Sequence, residues 1–272
     1  MYKKEKNFNL INLDEVLKKR NLNLPKFIIN FLKKIFYQKE INDFIIKNQD
    51  KHNFDFIDEI IKYFNLKIEV KGQENLPKNE KLIFVANHPL GGLDGIIFAR
   101  TVSKFFPNLK IIVNDLLFFF KNLQNIFLGV NLYGSNSKVH ISKIESAFKS
   151  DKQILIFPAG LVSRRKNSII QDLKWKHTFV KKAIQHKRNI VPVFIKAQNS
   201  NIFYNIARFR EKIGIKFNVE LILLPSEVFK QKDKKISLKI GKKIFYKDLE
   251  KNFSQKIWAE KIKNKVYNLN KK

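Results

Sequence analysis

From residue 66 onward, short apolar runs alternate with helical patterns, and this alternation leaves few architectures open to the chain. The apolar runs lie at residues 66–70, 82–86, 110–113, 153–157, 189–195, 218–224 and 236–240. Helical patterns lie between them at residues 93–105, 139–148 and 174–186, and a last helix spaces Trp258, Ile262 and Val266 four apart. Strands that alternate with helices predict an α/β fold, with a single mixed, mostly parallel sheet flanked by helices.

Residues 1–65 have a helical pattern instead. We therefore expect an N-terminal amphipathic helical region at 1–65, followed by an α/β domain at 66–272. Behind Pro25, one broad apolar helix face is formed by Phe27, Ile28, Phe31, Leu32, Ile35 and Phe36, with lysines off that face. Such a helix either packs on the main domain or lies in a membrane interface, and the pattern leaves both open.

Composition limits the compartment and the partners. The chain has 272 residues, a net charge of +30 and no cysteine, so disulfides and thiolate zinc sites are excluded and a reducing compartment fits. We expect no signal peptide and no membrane-spanning segment, because no run approaches about 18–20 apolar residues. The charge indicates an anionic partner, either nucleic acid or a lipid surface, although a lysine-rich codon bias contributes to it.

The segment Asn87-His-Pro-Leu-Gly-Gly-Leu-Asp-Gly95 places His88 and Asp94 on a Gly/Pro-rich turn between a predicted strand and a predicted helix. His52 and Asp58 have the same spacing, but they lie at the start of and within a helical pattern at 54–64, where six steps of about 100° turn the side chains apart. His88 is either a base oriented by a carboxylate or a loop histidine that caps a turn. Ligands of open α/β sheets gather outside the carboxyl ends of strands, which favours a site here.

A second polar segment, Phe157-Pro-Ala-Gly-Leu-Val-Ser-Arg-Arg165, also follows a predicted strand. Arginine binds carboxylate and phosphate groups through two parallel hydrogen bonds. The pair Arg164 and Arg165 therefore predicts an anion-binding group that faces the histidine. The alternative is that both are solvated surface arginines.

Taken together, these motifs resemble the glycerolipid acyltransferase superfamily, whose best known members acylate lysophosphatidic acid. The first block of that family, Asn-His, four residues and Asp, corresponds to Asn87-His88…Asp94. Its third block, Phe-Pro-Glu-Gly-Thr-Arg-Ser, corresponds to Phe157-Pro-Ala-Gly160, and its Val-Pro strand corresponds to Val191-Pro192. The blocks occur in the family's order between about residues 72 and 225.

The departures from that pattern point to a narrower branch. Five residues separate His88 from Asp94 instead of four, and Ala159 and Leu161 replace the family's glutamate and threonine. This pattern, together with the segments 172–179, 199–204 and 240–244, resembles the hemolysin-like branch associated with bacterial aminolipids, in which an N-acylated amino acid is O-acylated. That resemblance implies a lyso-aminolipid acceptor, whose carboxylate suits the retained arginines. Lysophosphatidic acid or another lysophospholipid is the alternative acceptor.

The resemblance also implies roles and partners. His88 would take the proton of the acceptor hydroxyl, and Asp94 would orient the imidazole. Backbone N–H groups at Gly91 and Gly92 would stabilise the oxyanion. The residues implied to bind the acceptor or the carrier's phosphopantetheine are Gly160, Ser163, Arg164, Arg165 and Lys176, with Lys174 as a weaker candidate. Acyl-carrier protein or coenzyme A would supply the acyl thioester, with no further cofactor and no metal, in the cytoplasm at the inner face of the cell membrane.

A basic nucleic-acid-binding protein is the distant alternative, suggested by the net charge alone. Such proteins cluster basic residues with aromatic side chains that stack on bases. The 26 phenylalanines of this chain fall mostly at core-pattern positions, and the sequence contains no recognisable nucleic-acid-binding motif. Nucleic acid is therefore not an expected partner.

Overall fold

The computed structural model describes residues 10–19, 22, 24–114, 120–130, 138–215, 217–251 and 253–271. The α-helices are α1 (Leu13–Lys19), α2 (Lys26–Ile35), α3 (Gln38–Lys47), α4 (Asn53–Tyr63), α5 (Gly92–Ser103), α6 (Lys138–Lys149), α7 (Thr178–Gln185), α8 (Asn201–Lys212), α9 (Leu224–Phe229), α10 (Tyr246–Leu249) and α11 (Gln255–Asn268). The strands are β1 (Lys67–Lys71), β2 (Leu82–Ala86), β3 (Leu109–Asn114), β4 (Phe127–Val130), β5 (Gln153–Ile156), β6 (Arg164–Lys166), β7 (Ile169–Gln171), β8 (Asn189–Lys196) and β9 (Lys235–Ile240).

Seven of the described strands form one sheet in the order β1-β9-β8-β2-β5-β3-β4. Strands β8 and β9 run antiparallel, and the other neighbouring pairs run parallel. Helices cover both faces, so the predicted mixed, mostly parallel sheet flanked by helices is confirmed. Strands β2, β5 and β8 are parallel neighbours at its centre, and their carboxyl ends therefore meet at one edge.

The central strand β2 is buried on both faces, as expected for a strand inside a parallel sheet. Leu82, Phe84 and Ala86 face the core formed with α4 and α5, whereas Ile83 and Val85 face the core formed with α7 and α11. The side chains alternate because successive residues of a strand point to opposite faces. Helices before residue 66 contribute to the first of these cores through a buried set that includes Ile45, Phe56, Ile57 and Ile60.

Six of the seven predicted strands are present, with bounds that differ by one residue at most at each end. The strand predicted at 218–224 is wrong, because Val219–Leu223 forms a 3-10 helix that continues into α9. Pro225 lies in the first turn of α9, where the missing N–H of a proline removes no hydrogen bond of the helix. The helix predicted at 174–186 begins later, at Thr178. Strand β4 and the antiparallel hairpin of β6 and β7 were not predicted.

Helix α2 carries the predicted apolar face, but that face is not packed into the core. Phe27 and Phe31 are 73% and 62% exposed, and α2 has no buried residue. Among the described residues, no helix has both the length and the apolar character that a bilayer crossing requires.

Candidate active site

The turn after β2 is joined to the neighbouring strand β8 by Asn87. The Asn87 side chain accepts a hydrogen bond from the Ile195 N–H at 2.7 Å and donates one to the Ile195 carbonyl at 2.9 Å. A carboxamide has the donor and acceptor of a peptide group, so it extends the pairing by one step after the backbone of β2 turns away. The first residue of the turn is therefore held in place against β8.

His88 and Asp94 contact each other across this turn. His88 Nδ1 lies 3.1 Å from Asp94 Oδ2, and Oδ2 also accepts the backbone N–H groups of Leu90 at 2.7 Å and Gly91 at 3.1 Å. The Asp94 side chain is fully buried, whereas that of His88 is 16% exposed. Burial raises the pKa of the Asp94 carboxyl, and the three donors oppose that rise.

The two glycines of the turn occupy different positions. Gly91 has a φ of 86°, in the left-handed region that favours glycine, and its N–H donates to Asp94. This N–H is therefore engaged and is not available to an oxyanion, contrary to the role expected for Gly91. Gly92 is the first residue of α5, and first-turn N–H groups have no partner within their own helix. Of the two, Gly92 carries the N–H that suits an anion.

The imidazole of His88 rests on Phe157, which follows β5. The ring centres lie 4.2 Å apart with an angle of 22° between the planes. This stacking, together with the Asp94 contact, fixes the ring plane, so that Nε2 is the nitrogen directed away from the carboxylate. The other pair with the same spacing, His52 and Asp58, makes no such contact, since Asp58 forms a bidentate ion pair with Arg100.

The segment after β5 is tied to the histidine turn by Ser163 and Asp172. The Ser163 N–H donates to the His88 carbonyl at 2.8 Å. Asp172 Oδ1 accepts the His88 N–H at 3.1 Å and the Ser163 hydroxyl at 2.6 Å, and its Oδ2 accepts Trp175 Nε1 at 2.8 Å. Ser163 is 1% exposed, so its hydroxyl holds the site together from within and does not face a substrate. Gly160 has a φ of 71° and shapes the turn.

Arg164 is buried, contrary to the expectation that it binds the acceptor. Its Nη2 lies 2.6 Å from Glu220 Oε1, and Glu220 Oε2 lies 3.0 Å from Arg210 Nε. Arg164 Nη1 also donates to the Val162 carbonyl at 2.6 Å. Burial lowers the pKa of the Arg164 guanidinium, and the charge of Glu220 opposes that fall. The side chain therefore anchors β6 to the segment before α9, and we do not retain it as a substrate-binding residue.

Arg165 and the two lysines remain accessible. The Arg165 guanidinium is half-buried, lies 5.0 Å from the ring centre of Tyr204 and donates to Asn201 Oδ1. Lys174 and Lys176 are exposed. Arg165 is thus the arginine of this segment that can bind an anion from solution.

Sequence reasoning missed three contributors to this region. Asp172 and Tyr204 lie in segments that carry the family resemblance but were given no role, and Glu220 lies outside those segments. The signals for these residues in the sequence are weak, because each contacts partners that are distant along the chain. His88 and Asp172, for example, are 84 positions apart. Among the residues that the structure describes, no cluster of three or more His, Cys, Asp or Glu side chains could hold a metal ion.

An acyltransferase family model matches residues 13–272 of the chain. A lyso-glycine lipid O-acyltransferase of Bacteroides thetaiotaomicron is 40% identical over 265 residues, which cover 96% of this chain and 97% of the relative. A lyso-glycine lipid O-acyltransferase of Phocaeicola vulgatus is 38% identical over 265 residues, covering 96% and 95%.

Among solved structures, the 1-acyl-sn-glycerophosphate (LPA) acyltransferase PlsC of Thermotoga maritima aligns with a TM-score of 0.47 and 17% identity, over 94% of this chain and 98% of that one. The family match and the two curated relatives span nearly the whole chain. The chain therefore belongs to the acyltransferase family, within the glycerolipid acyltransferase superfamily.

Proposed function

We propose that this enzyme transfers a fatty acyl group from a thioester to the hydroxyl of a lyso-aminolipid, with a lyso-glycine lipid as the preferred acceptor. The observation that carries the proposal is the contact of His88 with a buried Asp94 at the start of α5. It occurs in a chain that is 40% identical to a lyso-glycine lipid O-acyltransferase along almost its entire length. The acceptor is thus suggested by the relatives, and the chemistry by the side chains.

His88 acts as the general base in this proposal. With Nδ1–H donated to Asp94, Nε2 is free to take the proton of the acceptor hydroxyl as its oxygen attacks the thioester carbonyl. The tetrahedral intermediate then expels the thiolate, and the imidazolium returns the proton to it. The C–S bond breaks, a C–O ester bond forms, and no covalent acyl-enzyme is needed. Asp94 stabilises the imidazolium between the two proton transfers.

Gly92 supplies the oxyanion donor in the same proposal. Its N–H lies in the first turn of α5, where the unpaired amides and the helix dipole favour negative charge. One donor of this kind contributes about 3 kcal/mol to a tetrahedral transition state.

The part of the donor's acyl chain next to the thioester would lie against a small apolar crevice that begins at Gly92. Its lining is entirely apolar and consists of Ile60, Gly92, Ile96, Phe120, Leu123 and Phe127. A chain held there would leave its thioester carbonyl beside the proposed oxyanion donor. Both acyl-carrier protein and coenzyme A fit a chain of charge +30, because both carriers are anionic.

Arg165 binds the acceptor carboxylate in this proposal. The loss of the family's glutamate at Ala159 removes a negative charge from the segment, and the burial of Arg164 leaves Arg165 as its accessible arginine. Membrane association is part of the same proposal, because the acceptor is a lipid. The exposed Phe27 and Phe31 of α2 support an interfacial position for that helix.

The test is a side-by-side assay of the purified enzyme. Acyl-carrier-protein and coenzyme A thioesters are offered with a lyso-glycine lipid (an N-acylated glycine that carries a free hydroxyl), its ornithine counterpart and lysophosphatidic acid, and the products are identified by mass spectrometry. We expect the glycine acceptor to give the highest kcat/KM and His88→Ala to lose at least about 10³-fold of it. A preference for lysophosphatidic acid would overturn the acceptor, and wild-type turnover by His88→Ala would overturn the mechanism.

A further inference from the structure

Helix α8 has two apolar faces, and one of them has no partner among the described residues. Phe203 and Tyr204 belong to a buried cluster on the inner face. On the outer face, Ile202, Phe209 and Ile213 are 59%, 63% and 51% exposed. Their spacings of seven and four residues place them on one side of the helix.

The segment after α8 extends this exposed apolar area. Ile215 and Phe217 are also exposed, and the 3-10 helix at Val219–Leu223 packs back against α8. We call Ile202, Phe209, Ile213, Ile215 and Phe217 together the α8 surface. Single exposed apolar side chains are ordinary, whereas a run of protruding aliphatic and aromatic side chains marks an interaction site.

The charges around the α8 surface are mainly positive. Arg208 and Lys212 of the same helix are exposed, and so is Lys166 at the nearby hairpin. The exposed acid of α8, Glu211, lies 3.2 Å from Arg210, which compensates its charge. An apolar face flanked by cations is the pattern of a helix that lies in the interface of an anionic bilayer.

Helix α8 borders the candidate active site through its inner face and its first residue. Tyr204 of α8 lies under the Arg165 guanidinium, and Arg165 donates to Asn201 at the start of α8. Leu224, which continues from the 3-10 helix, packs close to Gly91 in the histidine turn. A bilayer in contact with the α8 surface would therefore lie on the opposite side of the helix whose inner face contacts Arg165.

We propose that the α8 surface docks on an anionic lipid bilayer and so brings the membrane to the helix that packs against Arg165. This inference rests on the proposed function in one respect, namely that the acceptor is a lipid held in a membrane. Protruding phenylalanine and isoleucine side chains gain from contact with hydrocarbon, so a bilayer fits this surface better than an acidic carrier protein, which basic residues alone would hold. The surface is distinct from the exposed face of α2.

The first test measures vesicle binding of the full chain. Phe209→Ser/Ile213→Ser/Phe217→Ser is compared with Ile257→Ser, whose side chain on α11 is 48% exposed, close to the 51% of Ile213. We expect the triple variant to lose at least about tenfold in affinity for phosphatidylglycerol vesicles, with no loss in the control. Unchanged binding by the triple variant, with binding lost instead in Phe27→Ser/Phe31→Ser, would overturn the proposal.

The second test reports the contact directly. The chain has no cysteine, so Phe209→Cys carries a single environment-sensitive fluorophore, and Ile257→Cys provides the matched control. A blue shift at position 209 alone with anionic vesicles is expected. No shift at 209, an equal shift at 257, or a shift with acyl-carrier protein and none with vesicles would each overturn docking. Neither test uses turnover, so an enzyme that binds vesicles as expected but acylates no aminolipid would refute only the proposed function.

Discussion

Arg164 and Arg165 are neighbours in β6, yet their guanidinium groups occupy opposite environments. Arg164 forms a buried ion pair with Glu220 at 2.6 Å, whereas Arg165 lies half-buried over the ring of Tyr204. Adjacent residues of a strand point to opposite faces, so one arginine is directed inward and the other lies against Tyr204 and Asn201 of α8. The pair provides a matched experiment within one motif.

Arg164→Met should destabilise the protein, and Arg165→Met should weaken acceptor binding. Removing Arg164 leaves Glu220 buried with only Arg210, which we expect to cost about 3–5 kcal/mol of the free energy of unfolding. Arg165→Met should stay within about 1 kcal/mol of wild type and raise KM for the carboxylate acceptor. Denaturant unfolding and steady-state kinetics measure the two effects. A stable Arg164→Met with a raised KM would restore Arg164 as the acceptor-binding residue.

Asp94→Asn should abolish activity without loss of stability. The amide cannot stabilise an imidazolium as a carboxylate does, and we expect kcat to fall about 10³- to 10⁴-fold. Burial raises the pKa of Asp94 in the folded state, so the ionised carboxyl opposes folding, and stability is lost as pH rises from its ordinary pKa through its folded pKa.

Asparagine does not ionise, so the difference in the free energy of unfolding between Asp94→Asn and wild type follows the titration of Asp94. The two proteins should unfold alike in acid, and the variant should become the more stable one above the folded pKa of Asp94. Thermal unfolding across a pH series measures the difference. A variant that is less stable than wild type at neutral pH would contradict this expectation.

Asp172→Asn should reduce kcat through the position of His88. Asp172 accepts two hydrogen bonds at Oδ1 and one at Oδ2, and the asparagine amide keeps only one acceptor oxygen, so one or two of the three bonds are lost and we expect a loss of about 1–3 kcal/mol in stability. Because the carboxylate holds the His88 N–H and not the substrate, kcat should fall while KM changes little. Asp151→Asn is the control, since its side chain is 85% exposed. A change in KM alone would place Asp172 in substrate binding.

Ile96→Trp should shorten the acyl chains that the enzyme accepts. Ile96 lines the apolar crevice beside Gly92, and an indole there would fill space that we assign to the chain. Competition among thioesters of graded length measures the preference, with Ile96→Ala as the control that enlarges the same space. An unchanged length profile in Ile96→Trp would place the acyl chain elsewhere.

The sheet was predictable because its strands are apolar runs bounded by glycine, proline or polar residues. Leu82–Ala86 is the clearest example, since burial on both faces leaves no polar position in it. The sequence did not predict the hairpin of β6 and β7, because its strands are short and β6 is polar. Its two-residue turn, Asn167-Ser168, takes positive φ at both positions without the glycine that usually signals such a turn.

The candidate site was predictable in part. The closeness of His88 and Asp94 followed from their place on a turn between strand and helix, while their catalytic roles stay predictions. The sequence could not distinguish Arg164 from Arg165, because the partner that buries Arg164 lies 56 positions away. It also could not assign the Gly91 N–H to Asp94, since that depends on the path of the turn.

The pairing of Asn87 with Ile195 has a consequence for how the specificity of such an enzyme can change. It fixes the histidine turn to the sheet without using the hairpin, which carries Arg165, or α8, which packs against Arg165. Directed evolution toward a new acceptor can therefore sample hairpin and α8 sequences while the reacting groups keep their geometry. We expect libraries restricted to residues 165–171 and 201–213 to yield altered acceptor preference at a higher frequency than libraries spread along the chain.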